Sequence, residues 1–137
     1  MGDTPRITAA ELRIMKILWA GGPQTVRQVK GALTAQGGDP PAYTTVMTMM
    51  KQLADKRALK VDREGRTFIY APAVRRDQVL SHRLLEFLQT VFDGKAEDMV
   101  LQLAEDAELS PADLRRIEAK IARRMKSDAR RKSRSPE

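Results

Sequence analysis

The 137-residue sequence predicts a mostly helical fold with one small β-ribbon, and two patterns support this. Through most of the chain, apolar residues recur at intervals of three and four, which is the spacing of helices with one buried face. Between Leu59 and Tyr70 the interval changes to two, around a turn at Glu64 and Gly65. That change is typical of a two-stranded antiparallel hairpin.

Two helices are predicted near the start of the chain. Thr8 and Glu11 have the spacing of a capping box, and the helix that follows them ends at the Gly-Gly-Pro sequence of residues 21–23. Thr25 is placed to cap a second helix, which ends within the glycine- and proline-rich residues 37–41.

The third helix begins near Ala42, and its outer face carries small hydroxyl side chains rather than bulky ones. That face, with the helix entrance, offers Tyr43, Thr44, Thr45, Met47, Thr48 and Lys51. The hairpin follows directly, with Arg63 and Arg66 flanking its turn. Three helices followed by a basic ribbon are the arrangement of a winged helix-turn-helix, in which the third helix enters the major groove of DNA. Taken singly, a solvated helix and an ordinary soluble hairpin remain open alternatives.

The charge distribution indicates which part of the chain would face DNA. The formal net charge is +7, and residues 1–75 hold 12 Lys and Arg against 6 Asp and Glu. Residues 76–121 hold 6 against 10, and residues 122–137 hold 7 against 2. A basic first part favours a polyanionic partner. The acidic middle indicates a different role for that part.

Several classes of protein are disfavoured by what the sequence lacks. There is no cysteine and only one histidine, so disulfides, thiolate metal sites and conventional triads are not expected. No apolar run approaches the roughly 20 residues that span a bilayer. We therefore expect a cytoplasmic protein that is not an enzyme, has no cofactor and does not insert into membranes.

Three more helices are predicted between residues 75 and 126, and they carry more large apolar side chains than so short a segment can bury. A second copy of the chain would cover them, and packing against the first domain is the alternative. The expected dimer interface comprises Leu80, Leu84, Leu88, Val91, Phe92, Val100, Leu103, Leu114, Ile117 and Ile121. The predicted domains are a winged helix at 1–74, a dimerisation region at 75–126 and a disordered basic tail at 127–137. The tail would serve solubility or attract DNA phosphates.

Five segments resemble the penicillinase-repressor family of the BlaI/MecI/CopY type, over roughly residues 7–125. They are ITAAELRIMKILW, GGPQTVRQV, AYTTVMTMMKQLADKRAL, GRTFIYAP and VLQLAEDAELSPADL. The resemblance implies a dimeric repressor that binds double-stranded operators with TACA/TGTA half-sites and controls β-lactamase or related genes. It implies base contacts by Thr44, Thr45, Met47 and Thr48. Backbone contacts would come from Lys51, Arg66, Thr25 and Arg27, to which we add Tyr43 and Arg63 from their positions.

The resemblance also implies how repression would be relieved. In the β-lactam-responsive branch, a membrane metallopeptidase sensor cuts a bond in the fifth helix, and the matching bond here is Gln102–Leu103. Copper sensing through thiolates, as in another branch, is excluded because there is no cysteine. Two other functions compete with this reading. One is a non-specific nucleoid-type or RNA-binding protein, and the other is a winged helix that binds a protein partner.

Overall fold

The structure, a computed structural model, describes residues 4–134, without the side chains of residues 133 and 134. The elements are α1 (Ala9–Gly21), α2 (Val26–Ala35), α3 (Tyr43–Asp55), β1 (Leu59–Glu64), β2 (Thr67–Pro72), α4 (Arg76–Phe92), α5 (Ala96–Glu105) and α6 (Pro111–Arg134). The predicted fold class, helical with a two-stranded wing, is confirmed.

The chain divides into two compact units between Phe87 and Leu88, inside α4. The sequence placed this boundary at residue 74. The difference arises because the beginning of α4 packs with the first unit: Val79 is buried in its core, and Arg83 Nη1 donates a hydrogen bond of 2.6 Å to the carbonyl of Ile7.

The first unit has one apolar core, to which α1, α2, α3 and the base of the wing all contribute. It is formed by Ile7, Ile14, Met15, Leu18, Val26, Val29, Leu33, Val46, Met50, Leu53, Ala58, Leu59, Tyr70 and Val79. The loop between α1 and α2 joins the wing through backbone hydrogen bonds of 2.9 and 2.8 Å between Gln24 and Tyr70. These bonds bring the start of α2 beside β2.

Capping boxes determine where the first two helices begin. The Thr8 hydroxyl accepts from the Glu11 backbone N–H, and the Glu11 carboxylate accepts from the Thr8 N–H. Thr25 and Gln28 form the same pair of bonds at the start of α2. α1 stops at Gly22, whose positive φ of 79° suits a residue without a Cβ.

Glu11 is buried, with 3% of its surface exposed, and it carries a second role that its cap position did not reveal. Its Oε1 lies 2.6 Å from Nζ of Lys56, the residue that ends α3, and the same Nζ donates to the carbonyl of Arg6 at 2.9 Å. Burial raises the pKa of Glu11, but the hydrogen bonds from Lys56 and Thr8 outweigh it, so the pKa lies below its usual value. This ion pair joins α1 to the end of α3.

The wing is a hairpin in which Glu64 pairs with Thr67, so its two turn residues are Gly65 and Arg66. The turn therefore lies one residue later than the sequence analysis placed it, and Arg66 is in the turn rather than beside it. Gly65 has a φ of 63°, which matches a turn that requires glycine at its first central position.

The residues of the second unit are largely exposed within a single chain. Of the expected interface, Leu84, Val91, Leu103, Leu114, Ile117 and Ile121 are exposed, whereas Leu80, Leu88, Phe92 and Val100 are half-buried. α6 begins as predicted, with Ser110 capping it through hydrogen bonds to Asp113.

The basic tail predicted to be disordered is helical as far as the structure describes it, because α6 continues to Arg134. After Met125 the sequence contains strong helix formers and no glycine or proline before Pro136. Cations near a helix C-terminus are also favourable. Its high charge density had suggested disorder, and helix propensity prevails over it.

None of the described helices has the length and apolar character needed to cross a membrane. The described residues also contain no group of three or more His, Asp or Glu side chains that could hold a metal ion.

Candidate nucleic-acid interface

A cleft of about 510 Å³ lies between the start of α2, the outer face of α3 and the wing. It is lined by Thr25, Val26, Arg27, Tyr43, Met47, Lys51, Arg66, Thr67, Phe68 and Tyr70. Six of the residues selected from the sequence are therefore brought together: Thr25, Arg27, Tyr43, Met47, Lys51 and Arg66. They come from three elements that are distant in the sequence.

Three cations surround this cleft, one from each element. Arg27 comes from the first turn of α2, Lys51 from α3 and Arg66 from the turn of the wing. None of them takes part in the ion pairs of the described residues. Their charges are therefore available to an anionic ligand such as a phosphate backbone.

The threonines of α3 lie next to the cleft rather than in its lining. Thr44, Thr45 and Thr48 are all exposed, as expected for a surface that approaches another molecule. The Thr48 hydroxyl donates to the Thr44 carbonyl at 2.9 Å, so towards a base it offers an acceptor oxygen and a methyl group. Met47 is half-buried and packs against the core while it also lines the cleft.

Arg63 lies outside the cleft lining and is held by the wing itself. Its Nε donates to the Gly65 carbonyl at 2.8 Å, and its guanidinium carbon lies 5.8 Å from the centre of the Phe68 ring. Arg63 therefore shapes the turn that presents Arg66. Its expected role as a backbone contact remains a prediction, with its terminal nitrogens as the donors.

The sequence analysis missed Val26, Thr67, Phe68 and Tyr70 in the cleft. The alternating spacing of Leu59, Val61, Phe68 and Tyr70 predicts one apolar face of the ribbon. Only Leu59 and Tyr70 are buried, because the outer half of the hairpin extends beyond the core and leaves Phe68 52% exposed. An aromatic residue two positions after the turn arginine was the signal available in the sequence.

Two tyrosines stand at the inner wall of the cleft. Tyr43, at the start of α3, is 45% exposed, whereas Tyr70 is buried. Burial raises the pKa of the Tyr70 phenol above its usual value, and the neighbouring Tyr43 adds to the effect. The Tyr70 phenol is therefore neutral near pH 7. Both tyrosines carry a phenolic O–H group, the kind of donor that a contact to an anion requires.

The expected cleavage bond, Gln102–Leu103, lies in the second half of α5, and both residues are exposed. Gln102 Nε2 donates to Asp106 Oδ2 at 3.3 Å, one turn further along. The bond is accessible in a single chain, but its backbone is helical rather than extended.

Comparison with known proteins places this architecture among bacterial regulators. The family described as penicillinase repressor matches residues 7–123. The penicillinase repressor of Bacillus licheniformis is 29% identical over 117 residues, which are 85% of this chain and 90% of that protein. The transcriptional regulator BlaI of Mycobacterium tuberculosis is 35% identical over 124 residues, or 88% of each chain. The solution structure of the DNA-binding domain of the repressor BlaI has 31% identity and a TM-score of 0.49, over 57% of this chain and 93% of that one.

Proposed function

Because the chain belongs to the penicillinase repressor family, we propose that this BlaI-like transcriptional repressor acts as a dimer on palindromic operators of the TACA/TGTA type. One observation carries the proposal most directly. Arg27, Lys51 and Arg66 surround a single cleft beside an exposed face of threonines. Cations for phosphates next to small hydrogen-bonding side chains for bases are what sequence-specific DNA binding requires.

Affinity and specificity are assigned to different residues. Arg27, Lys51 and Arg66 neutralise phosphates, with Thr25 and Tyr43 as hydroxyl donors to the backbone. Thr44, Thr45 and Thr48 reach base edges in the major groove, and the Met47 side chain meets a thymine methyl group. α3 therefore carries the side chains that contact the bases. The contacts of α2 and the wing with the phosphate backbone, on either side of α3, fix its position in the groove.

Dimerisation is supported by the apolar surface of the second unit. Val91 is 52% exposed and Ile121 54% exposed in the single chain, and Leu114 and Ile117 continue the row on α6. Apolar surface of this extent is rarely left in water, and a second copy offers the same residues in return. Two heads then read two half-sites, and the bound dimer blocks the promoter sterically.

Relief of repression is assigned to cleavage of the Gln102–Leu103 bond by a membrane metallopeptidase sensor. Cleavage would separate α6 from the rest of the chain and leave each head with half of the contacts. Mass spectrometry of the protein from induced cells tests this, with fragments that end at Gln102 and begin at Leu103 as the expected result. An intact chain in induced cells, or a cut elsewhere, would reject this step without affecting the proposal of DNA binding.

The experiment that tests the central proposal is fluorescence anisotropy over a salt series, with a palindromic TACA/TGTA duplex and a scrambled duplex of equal length. We expect the palindrome to be bound about a thousandfold or more tightly. Equal binding to both, with a steep salt dependence, would instead identify a non-specific nucleoid-type protein. No salt-dependent binding to either duplex would favour a winged helix that binds a protein.

A further inference from the structure

The last turns of α6 form a surface that the proposed function does not use. The basic segment of α6, residues 123–132, contains Arg123, Arg124, Lys126, Arg130, Arg131 and Lys132, with one acidic residue, Asp128. It extends past residue 123, where the family match ends.

The helix arranges five of these six charges in two rows. Arg123, Lys126 and Arg130 are spaced three and four residues apart, so they form one row along the helix. Arg124 and Arg131, seven residues apart, form a second row beside it. Met125 continues the apolar stripe of α6 on the side away from the first row, and Lys132, seven residues later, lies on that apolar side.

All these basic residues are exposed, and none forms an ion pair in the part of the chain that the structure describes. A charged helix surface is often merely solvated, but such surfaces usually mix charges of both signs at neighbouring positions. Here only Asp128 interrupts a segment that spans roughly 14 Å at 1.5 Å per residue. Such a concentration of positive charge favours a polyanion as the binding partner.

We propose that the basic segment of α6 is a second DNA-binding surface, which contacts phosphates without regard to sequence. The proposal rests on the proposed function, because duplex DNA is the polyanion that a repressor of this kind binds. A membrane surface fits less well, since Met125 and Ala129 are the only apolar side chains along the segment and supply little area for insertion. The segment raises local attraction to duplex DNA and leaves the choice of operator to α3.

The test compares the full chain with a variant in which Arg124, Arg130 and Arg131 are changed to Gln, which keeps the helix propensity. The control changes the same three residues to Lys and keeps the charge. Circular dichroism and light scattering confirm equal helicity and equal oligomeric state. The salt dependence of affinity is then measured on both the operator and the scrambled duplex.

The salt slope is the slope of the logarithm of the binding constant against the logarithm of the salt concentration, and each phosphate contact contributes about 0.9 to its magnitude. The Gln variant lacks three charges, so we expect this magnitude to fall by up to about 2.7 for each basic segment that contacts DNA, equally on both duplexes. Between 50 and 200 mM salt, this slope change corresponds to about a 40-fold smaller loss of affinity. The Lys control should keep the wild-type slope. An unchanged slope in the Gln variant overturns the proposal.

Vesicles containing phosphatidylserine distinguish the competing partner. If the Gln substitutions abolish vesicle binding while the DNA slope stays constant, the surface binds membranes and the proposal is wrong. If the proposed function itself were wrong, the wild-type chain would bind the operator and the scrambled duplex with equal affinity. The slope on the scrambled duplex still reports on the segment in that case.

Discussion

The threonine hydroxyls on the outer face of α3 differ in what they can offer to a base. Thr48 gives its proton to the Thr44 carbonyl, so it can only accept a hydrogen bond from a base. The hydroxyls of Thr44 and Thr45 form no hydrogen bond among the described residues and can both donate and accept. Thr44 and Thr45 are therefore better placed than Thr48 for direct readout of a base edge.

Changing Thr45 to Ala should weaken operator binding by about 1–3 kcal/mol and hardly affect a scrambled duplex. Anisotropy titrations on both duplexes measure the difference. Thr34→Ala is the matched control, since Thr34 is an exposed helical threonine on α2 outside the cleft. An equal loss on both duplexes would contradict base readout by Thr45.

The two arginines of the wing tip should behave differently, because only Arg66 lines the cleft. Arg66→Ala should weaken binding to all sequences about equally and lower the salt slope by about one. Lys16→Ala removes one exposed charge from α1 and serves as the control for net charge. If Arg66→Ala left the slope at the wild-type value, Arg66 would not be a phosphate contact.

The buried Glu11 should make the first unit sensitive to acid. Since folding lowers the pKa of Glu11 from its ordinary value of 4.5, its contribution to stability is present above that pH and is lost as the pH falls through the folded-state pKa. Glu11→Gln should therefore destabilise the protein by on the order of 2 kcal/mol at pH 7. At low pH, where Glu11 is protonated as well, the difference between the two proteins should disappear.

Urea unfolding monitored by Trp19 fluorescence measures this effect, because Trp19 is half-buried and donates to the Val74 carbonyl at 3.1 Å. Glu118→Gln on the exposed surface of α6 is the control. A destabilisation by Glu11→Gln that stayed the same at every pH would show that packing, and not the ion pair with Lys56, is responsible.

At the scale of elements, the wing and α6 show that the surroundings of an element decide which residues of its apolar pattern are buried. In the wing, apolar residues alternate along both strands. Only the two nearest the core, Leu59 on β1 and Tyr70 on β2, are buried. In α6, the apolar stripe runs from Leu114 to Met125, and its residues are 42–67% exposed in the part of the chain that the structure describes. We assign the stripe to the dimer interface.

Ile121→Asp should convert the dimer to a monomer without unfolding the chain, because Ile121 is exposed in the single chain and its replacement disturbs no core. Multi-angle light scattering reads the mass, and circular dichroism reads the fold. Ala122→Asp introduces the same charge at the next position and should remain dimeric. A folded dimer of Ile121→Asp would remove α6 from the interface.

At the scale of the whole molecule, the proposed dimer predicts how binding scales with the operator. A duplex with both half-sites engages two clefts, and a duplex with one half-site engages one. We therefore expect the salt slope on the palindrome to be about twice the slope on the half-site duplex. At low protein concentration, the monomeric Ile121→Asp variant should show the same salt slope on both duplexes, equal to that of the wild-type protein on the half-site duplex. Equal slopes of the wild-type protein on the two duplexes would mean that only one head binds.

Much of this protein could be determined from its sequence, because the signals are local. The capping pair of Thr8 with Glu11 and the cap at Thr25, together with the apolar spacing, define the starts of α1 and α2 and the order of the elements. The change of spacing at Leu59 defines the wing. Hydrogen bonds and side-chain contacts over three or four residues depend on neighbours that the sequence lists directly.

The tertiary structure alone decided which of these residues share a site. It placed Arg27 and Arg66 at one cleft, although 38 residues lie between them in the sequence. It also hydrogen-bonded the Arg63 side chain to the Gly65 carbonyl of the wing, outside the cleft lining. It also buried Glu11 beside Lys56. Such pairings depend on how α1, α2, α3 and β2 pack around a common core, and contacts between residues distant in the chain leave no periodic trace in the sequence.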